Sequence, residues 1–458
     1  MLIRALILAI AVIFPAGIAR SLDFDYTLIL LEGDPAPPSV GGTYKNFYTS
    51  TQTSDVGEWA LFAQLNGAST DTAIFRFSEA ATDLVVAVGD TAPGTGGGIF
   101  ENLLGAEING GGNIVFRGFG DPAGNYFRGV FLASKGGGIA PLVLGGETAP
   151  GTGGAVFESF EGFSINSAGD VVFGAIVRLS ADEVWRGIFL ISEGVISALV
   201  QEGDTAPGTG GGSFGIFYSS PWINESREVV FSAEIRNSAT TRGIFAQLAL
   251  GIRAVAVSGG TAPAPGGGTF VRFDGGPRIN ASGQVAFVAT IGGTPGAGLF
   301  VDSAGSLREV ARVGDTAPGA PGAYQQIWSP FLNDAGDLSF SASLDAETYT
   351  RGSFAELGGV VTPVVIIHST PAPGGGVFSY PNGALITELG YLQFSSVTSE
   401  TTPLFGLYTA NPAAAAVPLL SPGGLSLCVL SLLAVAGAVL RNSRIGNASC
   451  VFGNVASG

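Results

Sequence analysis

A loop phrase that returns seven times at intervals of 55 to 57 residues, four short extended runs within each interval, and strands apolar on both faces together predict an all-β ring. The expected architecture is a seven-bladed β-propeller of four-stranded blades. The phrase reads EGDPAPP, GDTAPG, GETAPG, GDTAPG, GGTAPA, GDTAPG and STPAPG, with its second-last residue at Pro37, Pro93, Pro150, Pro207, Pro263, Pro318 and Pro373. A unit that short cannot bury a core of its own, so each copy must pack on its neighbours.

Residues 269–318 show one repeat clearly. Its extended runs are 269–272, 284–291, 298–302 and 307–313, designated A to D in order. The A–B turn is Asn-x-x-Gly, found at Asn109, Asn166, Asn280 and Asn333. Asn is expected to bond its own backbone two residues on, and Gly to accept the positive φ that closes the turn. At Asn224 the glycine is replaced by Arg227, and at Thr387 the Asn is lost while Gly390 remains. Strand B carries Phe116, Phe173, Phe231, Phe287, Phe340 or Phe394. B runs such as VVFGAIV and VAFVATI do not alternate with polar residues, so both of their faces must be covered. Tandem sandwiches would need a longer unit. A β-helix, with a coil of roughly 20–30 residues, would need two coils per period.

The phase of the repeat sets the blade count. The chain offers a D-type run at 26–31 before its first loop phrase, and its last set stops at a C-type run, 404–409. Pairing these two, in the same blade as 377–396, completes a seventh blade and leaves no free sheet edge.

Composition narrows function by exclusion. The formal charge is −16 and no Lys/Arg cluster is present, which argues against nucleic acid. The two cysteines, Cys428 and Cys450, lie beyond the repeats, and His368 is the single histidine. Thiolate nucleophiles, zinc fingers and Ser-His-Asp triads are thereby excluded from the repeats, with His368, read as loop filler, the one exception, and neither cofactor nor metal is predicted.

The two ends read as addresses. Residues 1–19 form a signal peptide, with Arg4, an apolar run from Ala5 to Phe14 and a small-x-small site ending at Ala19. Residues 20–409 are the propeller, 410–416 a spacer, 417–444 a transmembrane sorting or anchor segment, and 445–458 a short tail. At 1.5 Å per residue, 418–440 spans about 34 Å as a helix, enough for the hydrocarbon core. Arg441 and Arg444 follow and place the C-terminus on the cytoplasmic side. The expected location is the cell envelope or surface, with the membrane as partner through that helix.

The phrases NGGGNIVF, NSAGDVVF, NESREVVF, NASGQVAF and NDAGDLSF resemble the bacterial tandem-repeat family named for NxxGxxAF, whose members carry interchangeable C-terminal anchors. The tail resembles PEP-CTERM sorting signals of the Ile-Pro-Thr-Leu variant at Pro418, Leu420, Ser421 and Gly424, and departs from it at Leu419 and Gly423. The resemblance implies a surface-displayed protein handled by a sorting protease. It supplies no catalytic residues.

Two sets of candidate residues lie on the face formed by the D–A and B–C loops. The acidic position of the D–A loop and the residue starting strand C vary together: Asp90 with Arg128, Glu147 with Arg186, Asp204 with Arg242, and Asp315 with Arg351. The copy with Gly260 has Ala297. That covariation predicts an Arg–carboxylate strut within each blade, which would leave the Gly260 copy with a looser loop. A calcium ion per blade is the alternative, although a lone carboxylate among glycines falls short of the roughly six to eight oxygens required. The B–C loops add Tyr126, Phe127, Trp185 and Tyr349, which either grip a ligand or cover their own blade edges. The GTGGG runs at 94–98 and 208–212 lack the Lys-Ser/Thr of a phosphate loop. The favoured function is non-catalytic: a surface-anchored binding or scaffold propeller for extracellular polysaccharide or a protein partner. The alternative is a secreted hydrolase or lyase with a central-channel site, marked by three or more charged groups at the channel mouth.

Overall fold

The computed structural model describes residues 23–413, apart from 122–125, 294–295, 347–349, 374 and 400–404. These residues form 29 strands and no helix. The signal-peptide and sorting segments lie outside them. Among the described residues no helix is long and apolar enough to cross a membrane.

Strand β1 (Phe24–Leu31) precedes the repeats. Blade 1 is β2 (Thr43–Thr49), β3 (Trp59–Asn66), β4 (Thr72–Phe77) and β5 (Thr82–Ala87). Blade 2 is β6 (Asn102–Ile108), β7 (Ile114–Gly120), β8 (Phe127–Ala133) and β9 (Ile139–Leu144). Blade 3 is β10 (Val156–Ile165), β11 (Val171–Arg178), β12 (Val184–Ser192) and β13 (Val195–Gln201). In blade 4 strand A is broken into β14 (Ser213–Phe217) and β15 (Trp222–Ile223), both pairing β16 (Val229–Arg236), followed by β17 (Arg242–Leu248) and β18 (Gly251–Val257). Blade 5 is β19 (Thr269–Ile279), β20 (Val285–Gly292), β21 (Ala297–Ser303) and β22 (Ser306–Arg312). Blade 6 is β23 (Ala323–Leu332), β24 (Leu338–Asp345), β25 (Thr350–Leu357) and β26 (Val360–Ile366). Blade 7 contains β27 (Asn382–Ile386), β28 (Leu392–Val397) and β29 (Phe405–Pro412).

The ring closes as the phase of the repeat predicts. Blade 7 runs β27-β28-β29-β1, with Tyr26 opposite Ala410, Thr27 opposite Thr409 and Leu31 opposite Gly406. Its inner strand starts later than expected. Val377 and Phe378 make only isolated bridges, because Pro381 has no N–H to offer a ladder.

Seven apolar clusters hold the core, each between consecutive blades. Val115, Val130 and Val143 of blade 2 pack with Phe157, Phe173 and Phe189 of blade 3. Leu30 and Leu407 of blade 7 pack with Phe47, Trp59 and Phe75 of blade 1. This is why strand B is apolar on both faces. Inside blades 2 to 7 the strand-B Phe stacks on an aromatic of strand C, as in Phe173–Phe189 at 5.7 Å and Phe340–Phe354 at 5.4 Å. An aromatic of strand A then meets the strand-C ring edge-on, as in Phe157–Phe189 at 5.0 Å. Each such pair contributes about 0.5–1.5 kcal/mol beyond its burial. Strand C leaves room for the ring with a glycine two residues earlier: a Cβ on Gly243 would stand 2.7 Å from Phe245.

The recurring Asn does more than cap its turn. Its Oδ1 accepts the N–H four residues on, as in Asn113 to Asn109 at 2.9 Å and Asp337 to Asn333 at 2.8 Å, whereas two residues on was expected. Only Asn224 also takes the bond two residues on, from Ser226 at 3.0 Å. Its Nδ2 donates to the backbone of the next blade: Asn109 to Asn166 O (3.0 Å), Asn166 to Asn224 O (3.2 Å), Asn224 to Asn280 O (2.9 Å), Asn280 to Asn333 O (3.0 Å) and Asn333 to Thr387 O (3.3 Å). Five links thus chain blades 2 to 7. In blade 1 Ser54 takes the Asn position, and the blades are joined through Asp55 N–H to Gly110 O at 2.9 Å. The turn residue before strand B has positive φ throughout, including Arg227 at 63°, whose Nε bonds Asp170 of blade 3 at 2.7 Å.

Asn109→Ala removes a buried donor and acceptor together and should lower stability by about 2–3 kcal/mol in chemical denaturation. Asn109→Asp keeps the turn acceptor but sets a carboxylate against the Asn166 carbonyl. It should lose at least as much at pH 7 and recover part as acid restores an O–H donor. Equal loss at both pH values would assign the whole effect to the turn.

Candidate functional site

The inner strands of all seven blades frame a central tube. At the A–B end it holds a cavity of about 180 Å³ lined by strand-A termini from every blade. The residue after each Asn position falls on its rim: Asp55, Gly110, Ser167, Glu225, Ala281, Asp334 and Glu388. Four of these are acids. None of the four forms an ion pair among the described residues. Three are bonded to the preceding blade: Glu225 accepts from Ser167 N–H (3.0 Å), Asp334 from Ala281 N–H (2.6 Å) and Glu388 from Asp334 N–H (2.8 Å). Burial, together with Asp334 and Glu225 nearby, pushes the Glu388 carboxyl up to about 7.

Below the rim the wall is aromatic and sparsely polar. The Arg278 guanidinium lies 4.3 Å from the Trp222 ring centre and 4.9 Å from that of Phe331. Its Nη1 donates to Pro277 O at 3.3 Å, while its Nε is shut from solvent without a partner. Burial lowers this arginine to about 10, opposed by the charge of Glu107. Glu107, half-buried on the inner strand of blade 2, is itself pushed up to about 7 by burial, although Thr51 donates to it from N–H (3.0 Å) and Oγ1 (2.9 Å).

The expected struts do not form. Among the described residues Arg128, Arg186 and Arg242 make no ion pair with Asp90, Glu147 or Asp204. The aspartates are occupied by their own loops: Asp34, Asp90 and Asp204 each accept at 2.8 Å from the N–H three residues earlier, at Leu31, Ala87 and Gln201. Glu147, one methylene longer, makes no such bond. In blade 7 Thr370 Oγ1 takes the role, bonding Ile366 N–H at 2.8 Å. Arg186, Arg242 and Arg351 turn inward instead, over strand B to the inner strand of their own blade. Arg186 meets Glu161 at 3.3 Å, Arg242 lies over Tyr218 at 4.5 Å and Arg351 over Trp328 at 5.5 Å. Arg128, whose strand A offers Leu104, lies over Tyr126 at 4.7 Å. The Gly260 loop is not unravelled; Phe270 N–H still bonds Gly260 O, and Ala262 N–H bonds Gly268 O, both at 2.9 Å. Asp315 keeps the same loop frame, with Tyr324 N–H on its carbonyl at 2.9 Å.

The loop aromatics divide. Phe127 packs edge-on against Phe100 at 6.1 Å, and Trp185 joins the blade 3 core with its Nε1 on Gln201 at 3.1 Å, so both cover their own blades. Tyr126 stays exposed, and Tyr349 lies outside the described residues. The more prominent aromatics were not singled out from sequence. Tyr48, Tyr218 and Trp328 occupy one repeat position on strand A, five residues after the bridges at Thr43, Ser213 and Ala323. Aligning the copies on the loop phrase would have exposed that position, which also holds Glu161 and Asp274. Tyr48 is 61% exposed, Tyr218 45%. Tyr48 stands between cavities of about 280 Å³ toward blade 2 and about 350 Å³ toward blades 6 and 7. Among the described residues no group of three or more His, Cys, Asp or Glu is placed to hold a metal.

A closed ring of seven antiparallel blades around a tube with chemically distinct ends defines a seven-bladed β-propeller. The chain belongs to DUF7453, a family of unknown function, whose model matches residues 16–298 and 294–414. No curated protein matches the chain by sequence. Among solved structures it is similar to an ulvan lyase, at 10% identity and a TM-score of 0.35, over 85% of this chain and 95% of that one. It is similar also to a sialidase of Trypanosoma rangeli, at 10% identity and a TM-score of 0.35, over 93% of this chain and 63% of the sialidase, so it spans less than two thirds of that enzyme. A sucrose-6-phosphate hydrolase of Lactobacillus gasseri gives 8% identity and a TM-score of 0.31, over 79% of this chain and 89% of the hydrolase. At these identities the likeness is one of fold alone.

Glu107 generates a pH prediction. A carboxyl at about 7 in the folded protein and near 4.5 unfolded binds more protons when folded, so its contribution to stability falls as pH rises between those values. Glu107→Gln should therefore gain on the wild type by about 2–3 kcal/mol between pH 4.5 and pH 8, read from paired denaturation curves. A pH-independent difference would place the Glu107 charge in solvent.

Proposed function

We propose that the protein is a non-catalytic binding or scaffold propeller held at the cell surface, taking extracellular polysaccharide at the tube mouth formed by the D–A and B–C loops. The observation that carries this reading is the pairing of Arg242 with Tyr218 and of Arg351 with Trp328, aromatics at the inner-strand repeat position that exposed Tyr48 also holds. An aromatic face supported by a guanidinium is suited to a sugar ring, and the positive charge of Arg242 to a uronate or sulfate. The signal-peptide and sorting-segment readings of the two ends support surface display by a sorting protease and a membrane anchor.

One observation favours the alternative, a secreted hydrolase or lyase with a central-channel site: Glu107 has the proton affinity of a general acid at neutral pH and lines the 280 Å³ cavity beside Tyr48. Glycoside hydrolysis ordinarily uses two carboxyl groups, and Glu107 is the one carboxylate in that cavity's lining. The four rim acids meet the charged-group criterion set from sequence, but three of them bond backbone of the preceding blade.

A glycan array probed with the purified full chain tests the binding reading. Retained polysaccharide is expected to lose about ten-fold or more affinity in Tyr218→Ala/Trp328→Ala. Release of new reducing ends from a bound glycan, abolished by Glu107→Gln, would replace binding with catalysis. In cells, deletion of residues 424–444 should send the protein to the medium; continued retention would refute the anchor.

A further inference from the structure

The opposite end of the tube carries an arrangement that polysaccharide binding does not use. A lone guanidinium, Arg278, lines the 180 Å³ cavity, clamped between Trp222 and Phe331, with its Nε buried and unpartnered. Among the described residues it has no carboxylate within ion-pair distance, and its one hydrogen bond is the long contact to its neighbour's carbonyl. A half-buried cation whose nearest opposing charge, Glu107, lies beyond ion-pair distance is costly unless an anion completes it. The rim above presents the reverse charge. Asp55, Glu225, Asp334 and Glu388 are four acids on one circle with no cation among them. Burial there, with the charges of Asp334 and Glu225 added, holds Glu388 far above the ordinary carboxylate range.

Positive charge below and negative charge above exclude the simpler ligands. A plain anion would have to pass four acids. A plain amine would leave Arg278 uncompensated. On the chain, Arg278 precedes the rim residue Ala281 by three positions, so the two levels are separated by about 10 Å of extended backbone before either side chain reaches inward. The volume admits a molecule of amino-acid size. We propose that this mouth binds a small zwitterion, its carboxylate toward Arg278 and its ammonium toward the ring of Asp55, Glu225, Asp334 and Glu388. The fork of the guanidinium suits a carboxylate in the bidentate mode, and its two aromatic neighbours fix its plane before the ligand arrives.

Calorimetric titration of the full chain with the series glycine, β-alanine, 4-aminobutyrate and 6-aminohexanoate tests this, with hexanoate and hexylamine as singly charged controls. The zwitterions should bind, the longer members better, and each control at least about ten-fold more weakly than 6-aminohexanoate. Arg278→Met should lose about ten-fold or more in affinity for 6-aminohexanoate. Arg278→Lys, which keeps the charge without the fork, should recover part of it. Glu225→Gln keeps the bond to Ser167 and should weaken the zwitterions several-fold while leaving hexanoate unchanged or tighter. Hexanoate binding as well as 6-aminohexanoate would reduce the site to an anion site and overturn the proposal. So would the absence of heat across the series, or an unchanged affinity in folded Arg278→Met or Arg278→Lys.

Discussion

The inter-blade asparagine bond is the constraint on which the rest of the ring depends. A propeller blade has no covalent or ladder connection to its neighbour beyond one loop, and apolar contact alone fixes neither height nor tilt. One amide that accepts from its own turn and donates to the next turn does both: it fixes the start of strand B and sets the level of the adjacent inner strand. Repeated from blade 2 to blade 7, it places the following residue of each turn on a common circle. The rim acids owe their proximity to that register.

Most of the fold was legible in the sequence because its determinants are local and repeated. Seven copies of the loop phrase, Phe on strand B and unbroken apolar strands leave few alternatives, and the mismatched phase at the two ends identifies the closing blade. The inter-blade role of Asn was not legible. The turn explains the residue adequately, and nothing in a single copy says that the other half of the amide faces a neighbour. The irregular inner strand of blade 7 was missed for a related reason: the loop phrase starts on time there, and Pro381 interrupts only the pairing that follows.

The candidate sites were harder to read, since covariation names residues that change together but not what they touch. Arg128, Arg186 and Arg242 do vary with the loop acids, yet the aspartates satisfy the backbone of their own turn, while Arg186 and Arg242 reach the inner strand and Arg128 lies over Tyr126. The two belong to one corner of the blade and to different bonds. Tyr218 and Trp328 were passed over because they follow a core Phe or Ile on the inner strand, where an aromatic reads as core. Arg278 was hidden likewise, in a stretch where the other copies carry Glu107, Ser164, Trp222, Phe331 and Leu385. A position that varies from acid to base to aromatic is under no common packing demand.

Pairing β1 with β29 means that the first strand synthesised finds its partner last. Until residues 405–412 have emerged, the outer strand of blade 7 has no sheet to join, and blade 1 has nothing against its outer apolar face. The ring therefore cannot finish assembling vectorially from its N-terminus. If the surface display proposed above holds, closure would follow translocation, and the growing stack of blades would need protection from self-association throughout its transit. The acidic balance of the chain and its scarcity of lysine put like charges on such intermediates, a dispersing influence during the interval when the fold itself supplies none.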